Sequence, residues 1–354
     1  MRKIGVITIN DFNNYGNRLQ CYALQRYLEK MGYKVENIYN RSNNKGFIIN
    51  CAGKLYRYLT GFKSREILAE REKNFFEFNK NIKFSKERII CGRYNEGLND
   101  KYDFFVTGSD QVWNPYDSGR SEIDFLSFAS DDKKISFSAS IGTDSLPDYA
   151  AESYKENLKN FKSISVREFS AKKIIEDLTG RRDIEVLVDP TLLLTKEDWD
   201  YVSRKPDYNY SPKYILSYFL GGSGKYDNII KGIAEKYSCE IIDVYDRNSV
   251  FYSCGPQHFL DLEKNAFLVC TDSFHSAVFA FLFNRPFIVF DRDNTKIDMS
   301  SRMETLLKTF CLNNQRYKAG RNPEEYLTWD YSKGYEALEQ KREEAKRFIN
   351  HAFS

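Results

Sequence analysis

Apolar and polar positions change over in short blocks along this chain. From Lys3 to Ile9 apolar and small residues follow one another as in a buried strand, and the run ends in a polar loop, Asn10-Asp11-Phe12-Asn13-Asn14-Tyr15-Gly16-Asn17. Leu19, Tyr22, Ala23, Leu28 and Met31 then recur at three- and four-residue steps, which predicts a helix that Gly32 terminates. Tyr33 to Tyr39 reads as a second strand. A strand-helix-strand opening predicts a parallel sheet with right-handed crossovers. Further strands are expected at Tyr102 to Val106, Lys134 to Ser138, Ser163 to Val166 and Glu185 to Val188. Lys196 to Pro212 is polar and reads as a linker. A second series follows: Lys213 to Leu220, Glu240 to Val244, Phe267 to Cys270 and Pro286 to Phe290. Glu336 to Phe353 has the pattern of a charged amphipathic helix.

This pattern predicts an α/β protein of two doubly wound Rossmann-like domains with a closing C-terminal helix. The expected limits are 1–195 for the first domain, 210–325 for the second and 326–354 for the helix. The chain's 354 residues fit two domains better than one core. A basic helical insert is expected within the first domain at about 51–90. That segment holds ten basic and five acidic residues, interleaved with Leu55, Tyr56, Tyr58, Leu59 and Phe62. It therefore carries more positive excess than the whole chain, whose formal charge is +3. It reads either as a helix packing its aromatics on the first domain or as a patch for an anionic membrane surface.

Several functions are excluded by what is missing. The small net charge argues against a nucleic-acid partner. Seven scattered cysteines with no C-x-x-C pair indicate neither a disulfide framework nor a zinc knuckle. The first ten residues are unlike a signal peptide, and the apolar stretch Ala266 to Phe290 is broken by Asp272, His275, Asn284, Arg285 and Pro286. A cytoplasmic location is expected, with peripheral contact at the inner face of the membrane as the extension suggested by residues 51–90. Gly221-Gly222-Ser223-Gly224-Lys225 fails as a phosphate loop because Tyr226 stands where Ser or Thr is needed. It is expected to be a turn.

In open parallel sheets ligands bind beyond the C-terminal strand ends, and four such loops are unusually polar. Asn14, Gly16 and Asn17 follow the first strand, where Gly16 would admit close approach to a helix N-terminus; the plainer reading is a capped turn. Asp110, Gln111, Trp113 and Asn114 combine a carboxylate, amides and an indole, groups suited to paired sugar hydroxyls and a sugar face. Arg167 emerges where it could fork onto a carboxylate or phosphate, or else pair internally with Glu168 or Asp189. Thr271-Asp272-Ser273-Phe274-His275 turns a strand into a helix, placing an N-cap and free amide donors beside His275. Of three histidines, His275 is the best placed for acid–base work, since His258 follows a Gly-Pro turn and His351 lies in the terminal helix.

Asn14-Tyr15-Gly16-Asn17-x-Leu19-Gln20, Gly108-Ser109-Asp110-Gln111-Val112-Trp113-Asn114, Ser165-Val166-Arg167-Glu168, Asp189-Pro190-Thr191, Gly255-Pro256, Thr271-Asp272-Ser273-Phe274-His275 and Ser301-Arg302-x-x-x-Leu306 occur in this order. Together they resemble the polysaccharide pyruvyl transferases. Ser276 departs from the glycine more common in that family, and the first loop follows its N-Y-G-x-x-L-Q subgroup. The resemblance implies a glycosyltransferase-B-like fold with the site between the domains. It implies transfer of a pyruvyl group from phosphoenolpyruvate to two sugar hydroxyls, giving a cyclic ketal and phosphate with no metal or other cofactor. In that scheme His275 and Arg167 are catalytic, and Arg167, Thr271, Ser273 and His275 hold the donor. Asn14, Gly16, Asn17, Asp110, Gln111, Trp113 and Asn114 hold a sugar acceptor, free or lipid-linked. The competing expectations are a nucleotide-sugar glycosyltransferase on the same architecture and a non-catalytic glycan-binding subunit of polysaccharide assembly.

Overall fold

The computed structural model describes residues 1–9, 13–41, 62–117, 121–292 and 301–354. Its chain builds two parallel sheets. The first comprises β1 (Lys3–Ile7), β2 (Lys34–Arg41), β3 (Phe84–Ile90), β4 (Phe104–Thr107), β5 (Lys134–Ala139), β6 (Ser163–Val166) and β7 (Glu185–Val186), in the order β3-β2-β1-β4-β5-β6-β7. The second comprises β8 (Tyr214–Tyr218), β9 (Glu240–Asp243), β10 (Leu268–Thr271) and β11 (Phe287–Val289), in the order β11-β10-β8-β9. Strand order reverses between β1 and β4 in one sheet and between β8 and β10 in the other, so each sheet has a crevice at its switch point. The predicted strands are all present, with ends shifted by one or two residues.

Strands β1, β4, β6, β8, β10 and β11 are apolar or small-residue runs buried along nearly their whole length because both faces are covered, whereas β2, β3 and β9 keep exposed polar positions. Helix α1 (Tyr15–Lys30) packs Leu19, Tyr22, Ala23 and Leu28 into the core. Helices α2 (Phe62–Asn79), α3 (Asp148–Leu158) and α4 (Phe169–Thr179) complete the first half. Gly180 ends α4 with a φ of 75°, a left-handed C-cap.

Three local expectations change. The polar stretch 196–212 is not open linker at its start, because helix α5 (Lys196–Val202) occupies it. Thr195 and Asp198 form a reciprocal capping box, and Trp199 is fully buried with its indole N–H donating to the Thr191 carbonyl. Polar caps at the surface thus concealed a helix anchored by one aromatic.

The segment 51–90 is not an insert in its described part, since β3 is the edge strand of the first sheet and pairs with β2. Helix α2 reaches the second half of the chain as well. Its Arg71 Nη1 donates to the Tyr252 carbonyl at 2.6 Å and to Tyr15 Oη at 2.8 Å, and Asn74 donates to the Ser253 carbonyl at 2.9 Å. The aromatics Tyr56 and Tyr58, with Leu55 and Leu59, lie outside the described residues.

The second half adds α6 (Asp227–Tyr237), α7 (Pro256–Asn265), α8 (Phe274–Leu282), α9 (Ser301–Thr309) and α10 (Glu324–Leu327). The last helix, α11 (Ser332–Ala352), begins one turn earlier than the pattern indicated. Gly334 weakens the helical signal there. Its missing Cβ is what lets the helix lie against Phe281 and the Phe310 carbonyl, which an ideal Cβ would meet at 2.9 and 2.7 Å. From there α11 runs back to the first sheet, where Phe348 packs on Phe137 and Phe353, just beyond its end, on Phe104. Arg342 donates to the Leu192 and Leu194 carbonyls on the way. No helix among the described residues is long and apolar enough to cross a membrane.

Candidate active site at the two switch points

The polar loops after β1, β4, β6, β7 and β10 converge between the sheets, joined by the start of α9. Asn14 is the N-cap of α1, and its side chain accepts from the Asn17 amide at 3.1 Å. That cap orients the first turn so that Gly16 meets the His275 ring: an ideal Cβ on Gly16 would lie 2.1 Å from His275 Nδ1. Glycine is therefore required there by close approach of an imidazole from the second half of the chain. In the same turn Asn17 Nδ2 donates to Asp110 Oδ2, closing the crevice between β1 and β4.

Beyond β4 the backbone takes left-handed conformations at Gly108 (φ 109°) and Asp110 (φ 67°). The Asp110 carboxylate accepts from its neighbour's amide at 2.9 Å and from Arg167 Nη2 at 3.1 Å. Asp189 caps the turn after β7: its Oδ1 accepts from the Thr191 amide and hydroxyl at 3.0 and 2.7 Å. Its Oδ2 accepts from Ser109 Oγ at 3.0 Å and from Arg167 Nη1 at 2.5 Å. Arg167 thus forks onto two protein carboxylates, the internal pairing with Asp189 realised and extended to Asp110. Glu168 faces elsewhere, accepting through Oε1 from Ser140 Oγ and the Ile141 and Gly142 amides.

Charge and burial decide the protonation states. Burial alone would raise the Asp189 pKa, but the imidazole of His275 and the Arg167 guanidinium outweigh it and hold the carboxyl far below the usual carboxylate range. Asp110 shows the same balance, its burial overcome by Arg167, His275 and Arg302. Both acids are anions at neutral pH.

On the other side, α8 starts at Phe274 with Ser273 as N-cap. The Ser273 side chain makes no capping bond, which leaves first-turn amides without a side-chain acceptor. The Thr271 hydroxyl donates to the Tyr218 carbonyl at 2.6 Å and accepts from the Ser273 amide at 2.9 Å. Asp272 accepts from the Leu220 and Gly221 amides at 2.7 and 2.8 Å, so the Gly221–Gly224 turn is pinned to the start of α8. His275 is only 7% exposed. Its Nε2 is buried with no hydrogen-bond partner among the described residues, and Asp189 Oδ2 lies 3.7 Å away, too far for a hydrogen bond. His258 instead accepts from the Gly255 amide, and His351 lies exposed in the terminal helix.

The structure brings Asn14, Gly16, Asn17, Asp110, Arg167, Thr271, Ser273 and His275 to one place. Trp113 is not at its surface. It is fully buried, stacked on Phe125 at 5.7 Å with Phe161 edge-on, and its indole N–H donates to the Asp124 carbonyl. The expected sugar platform is a core side chain, because its ring turns inward under the loop. Asn114 is also buried and accepts from the Tyr116 amide. Gln111 remains partly exposed, its amide seated over Gly142, where a Cβ would collide at 1.9 Å.

Two site residues were missed as such by the sequence reading, Asp189 and Arg302. Both stood within quoted motifs. Asp-Pro-Thr is a turn-capping signature whose carboxylate could be foreseen, whereas nothing local to α9 signals that Arg302 turns inward. No group of three or more potential metal-ligating side chains occurs among the described residues.

Two doubly wound parallel sheets with facing switch points define a two-domain Rossmann-like, glycosyltransferase-B-like protein. The Methanocaldococcus jannaschii UDP-GlcNAc 2-epimerase shares this fold at 17% identity and a TM-score of 0.51, with 99% of each chain covered. The Rickettsia bellii UDP-N-acetylglucosamine 2-epimerase is another neighbour, at 11% identity and a TM-score of 0.48, covering 99% of this chain and 96% of that one. No curated protein matches the chain. Residues 14–294 match the polysaccharide pyruvyl transferase family model, and the chain belongs to that family.

Proposed function

We propose that the chain transfers a pyruvyl group from phosphoenolpyruvate to two hydroxyls of a surface-polysaccharide precursor, forming a cyclic ketal and releasing phosphate. The observation that carries this reading is His275. Its buried Nε2 has no committed hydrogen bond, a carboxylate stands 3.7 Å away, and the helix it sits on begins with uncapped amides.

The chemistry needs these properties. A sugar hydroxyl adds to C2 of the enol phosphate while a proton is delivered to the methylene carbon, which becomes the methyl group. The C–O bond to phosphate then breaks, and the second hydroxyl closes the ketal. One hydroxyl hydrogen ends on carbon and the other leaves with the phosphate or to solvent. In this scheme His275 accepts a hydroxyl proton and returns one to carbon, a role open to a ring nitrogen without a fixed partner. Asp189 stabilises the imidazolium in between. Phosphate and carboxylate lie toward the α8 N-terminus, where amide donors and the helix dipole favour negative charge. The acceptor lies along the loops after β1 and β4, where Asn14 and Gln111 keep partial exposure. No step as written uses a metal.

Incubation with phosphoenolpyruvate and a panel of acceptor glycans, free and lipid-linked, tests the reading. Phosphate release together with a new ketal methyl resonance in the product is the expected result. Consumption of a UDP-sugar with nucleotide release, and none of phosphoenolpyruvate, overturns it.

A further inference from the structure

Two arginines meet over one phenylalanine. Arg167 lies 4.7 Å and Arg302 5.9 Å from the Phe274 ring centroid, and both are buried. Nε is buried and unpartnered in both, but the terminal nitrogens differ. Arg167 spends Nη1 on Asp189 and Nη2 on Asp110. The side chain of Arg302, the second residue of α9, makes no hydrogen bond to any described residue. Its nearest carboxylate oxygen, Asp110 Oδ1, is 3.8 Å away and already accepts from Arg167 and the Gln111 amide, and its Nε is buried and unpartnered.

A guanidinium whose side chain is only 10% exposed and whose donors meet no acceptor is costly, because little water is left to solvate it and no acceptor replaces the rest. Burial, and then the like charge of Arg167, pull the Arg302 pKa down to about 10 against the attraction of Asp110. Such a group is stabilised by any anion that brings acceptor oxygens. Arginine's planar fork matches two geometries, carboxylate and phosphate, through paired N–H donors. The uncapped start of α8, which carries Phe274, supplies further donors beside it.

We propose that Arg302 is the residue that grips the ligand's carboxylate or phosphate, and that Arg167 is a positioning residue that holds Asp110 and Asp189 in place. This rests on reading the site as one for an anionic donor, and it names the side chain that selects it. The ligand class is a compact anion with a planar carboxylate or a phosphoryl group.

Inorganic phosphate and phosphoenolpyruvate, titrated separately by calorimetry and thermal shift against the full chain, provide the test. Arg302→Gln should weaken both by about 10- to 100-fold, the range for a charge-assisted bond, and Arg302→Lys should restore part of the loss. The resting Tm of Arg302→Gln should fall far less than that of Arg167→Gln, because the variant loses only the 3.8 Å approach to Asp110 and no side-chain hydrogen bond. Arg167→Gln should lower it by leaving two buried carboxylates short of a donor. Parent-like affinity of Arg302→Gln for both anions overturns the proposal. So does a drop in its resting Tm as large as that of Arg167→Gln, which would make Arg302 a structural residue. Arg302-dependent anion binding without turnover of phosphoenolpyruvate by any acceptor would uphold this assignment and instead remove the pyruvyl-transfer reading.

Discussion

Asp110 and Asp189 in the first half and Glu263 in the second are buried acids with opposite fates. In the first half, Asp110 and Asp189 collect amide, hydroxyl, side-chain amide and guanidinium donors on all four oxygens, and their pKa values fall although both are buried. In the second half, Glu263 on α7 is equally buried but receives a single side-chain donor among the described residues, the Ser276 hydroxyl at 2.5 Å, with Oε2 unpartnered there. Burial pushes its pKa well above the ordinary value. Burial alone therefore does not set charge; the number of donors does. A related contrast separates Arg167, bonded through both terminal nitrogens, from Arg302, whose side chain has no hydrogen bond among the described residues, and it places the bonded carboxylate scaffold with the first sheet and the uncommitted groups, His275 and Arg302, with the second half.

Removing the uncommitted histidine should break the contrast most severely. His275→Ala is expected to lower turnover by about 10²- to 10⁴-fold, the usual range for a general acid/base, while the fold persists. Steady-state phosphate release with acceptor present measures it, and near-parent turnover would remove His275 from the chemistry. Gly16→Ala attacks the join between the halves, because its Cβ would stand 2.1 Å from the imidazole. A kcat loss of about tenfold or more is expected, with destabilisation of about 1–3 kcal/mol from overpacking. A parent-like kcat and urea midpoint would show that the ring can move aside without cost.

The smallest effect sharpens the comparison of the acids. Because the folded pKa of Glu263 is raised, its contribution is fully present below the unfolded value near 4.3 and is lost as pH rises toward the folded pKa. Glu263→Gln keeps an acceptor for Ser276 and carries no charge. Its stability relative to the parent should improve between pH 4 and pH 8, by about 1.4 kcal/mol for each pKa unit of elevation spanned. Asp110 and Asp189 have the opposite sign: their contribution is present above about pH 3.9 and lost as pH falls through their lowered folded values. A pH-independent difference between Glu263→Gln and the parent in urea titrations would show that Glu263 is charged in the fold.

Much of this was legible in the chain. Ten of the eleven strands could be read from short apolar or alternating runs bounded by polar loops, whereas the edge strand β3, with Lys86, Glu87 and Arg88 in its middle, was taken into a helical insert; the functional loops could be read because polar residues cluster just after those runs. The helix Lys196–Val202 was not, since its capping box and charged face look like linker until Trp199 is seen between Tyr22 and Phe279. Trp113 misled for the converse reason: its loop is polar, but its ring turns into the core.

By itself the sequence determined the order of ten strands, the polar loops and the motif order that marks the family, because these follow from spacing between neighbours along the chain. Only the tertiary structure decided which side chains in those loops are spent and which are left. Arg167 and Arg302 are the same residue type, and both stand in motifs. One meets two carboxylates from β4 and β7 loops and the other meets none within hydrogen-bond reach among the described residues, a difference set by residues 22 to 192 positions away. Such long-range pairing has no local signature, and it assigns one arginine to the scaffold and the other to the ligand.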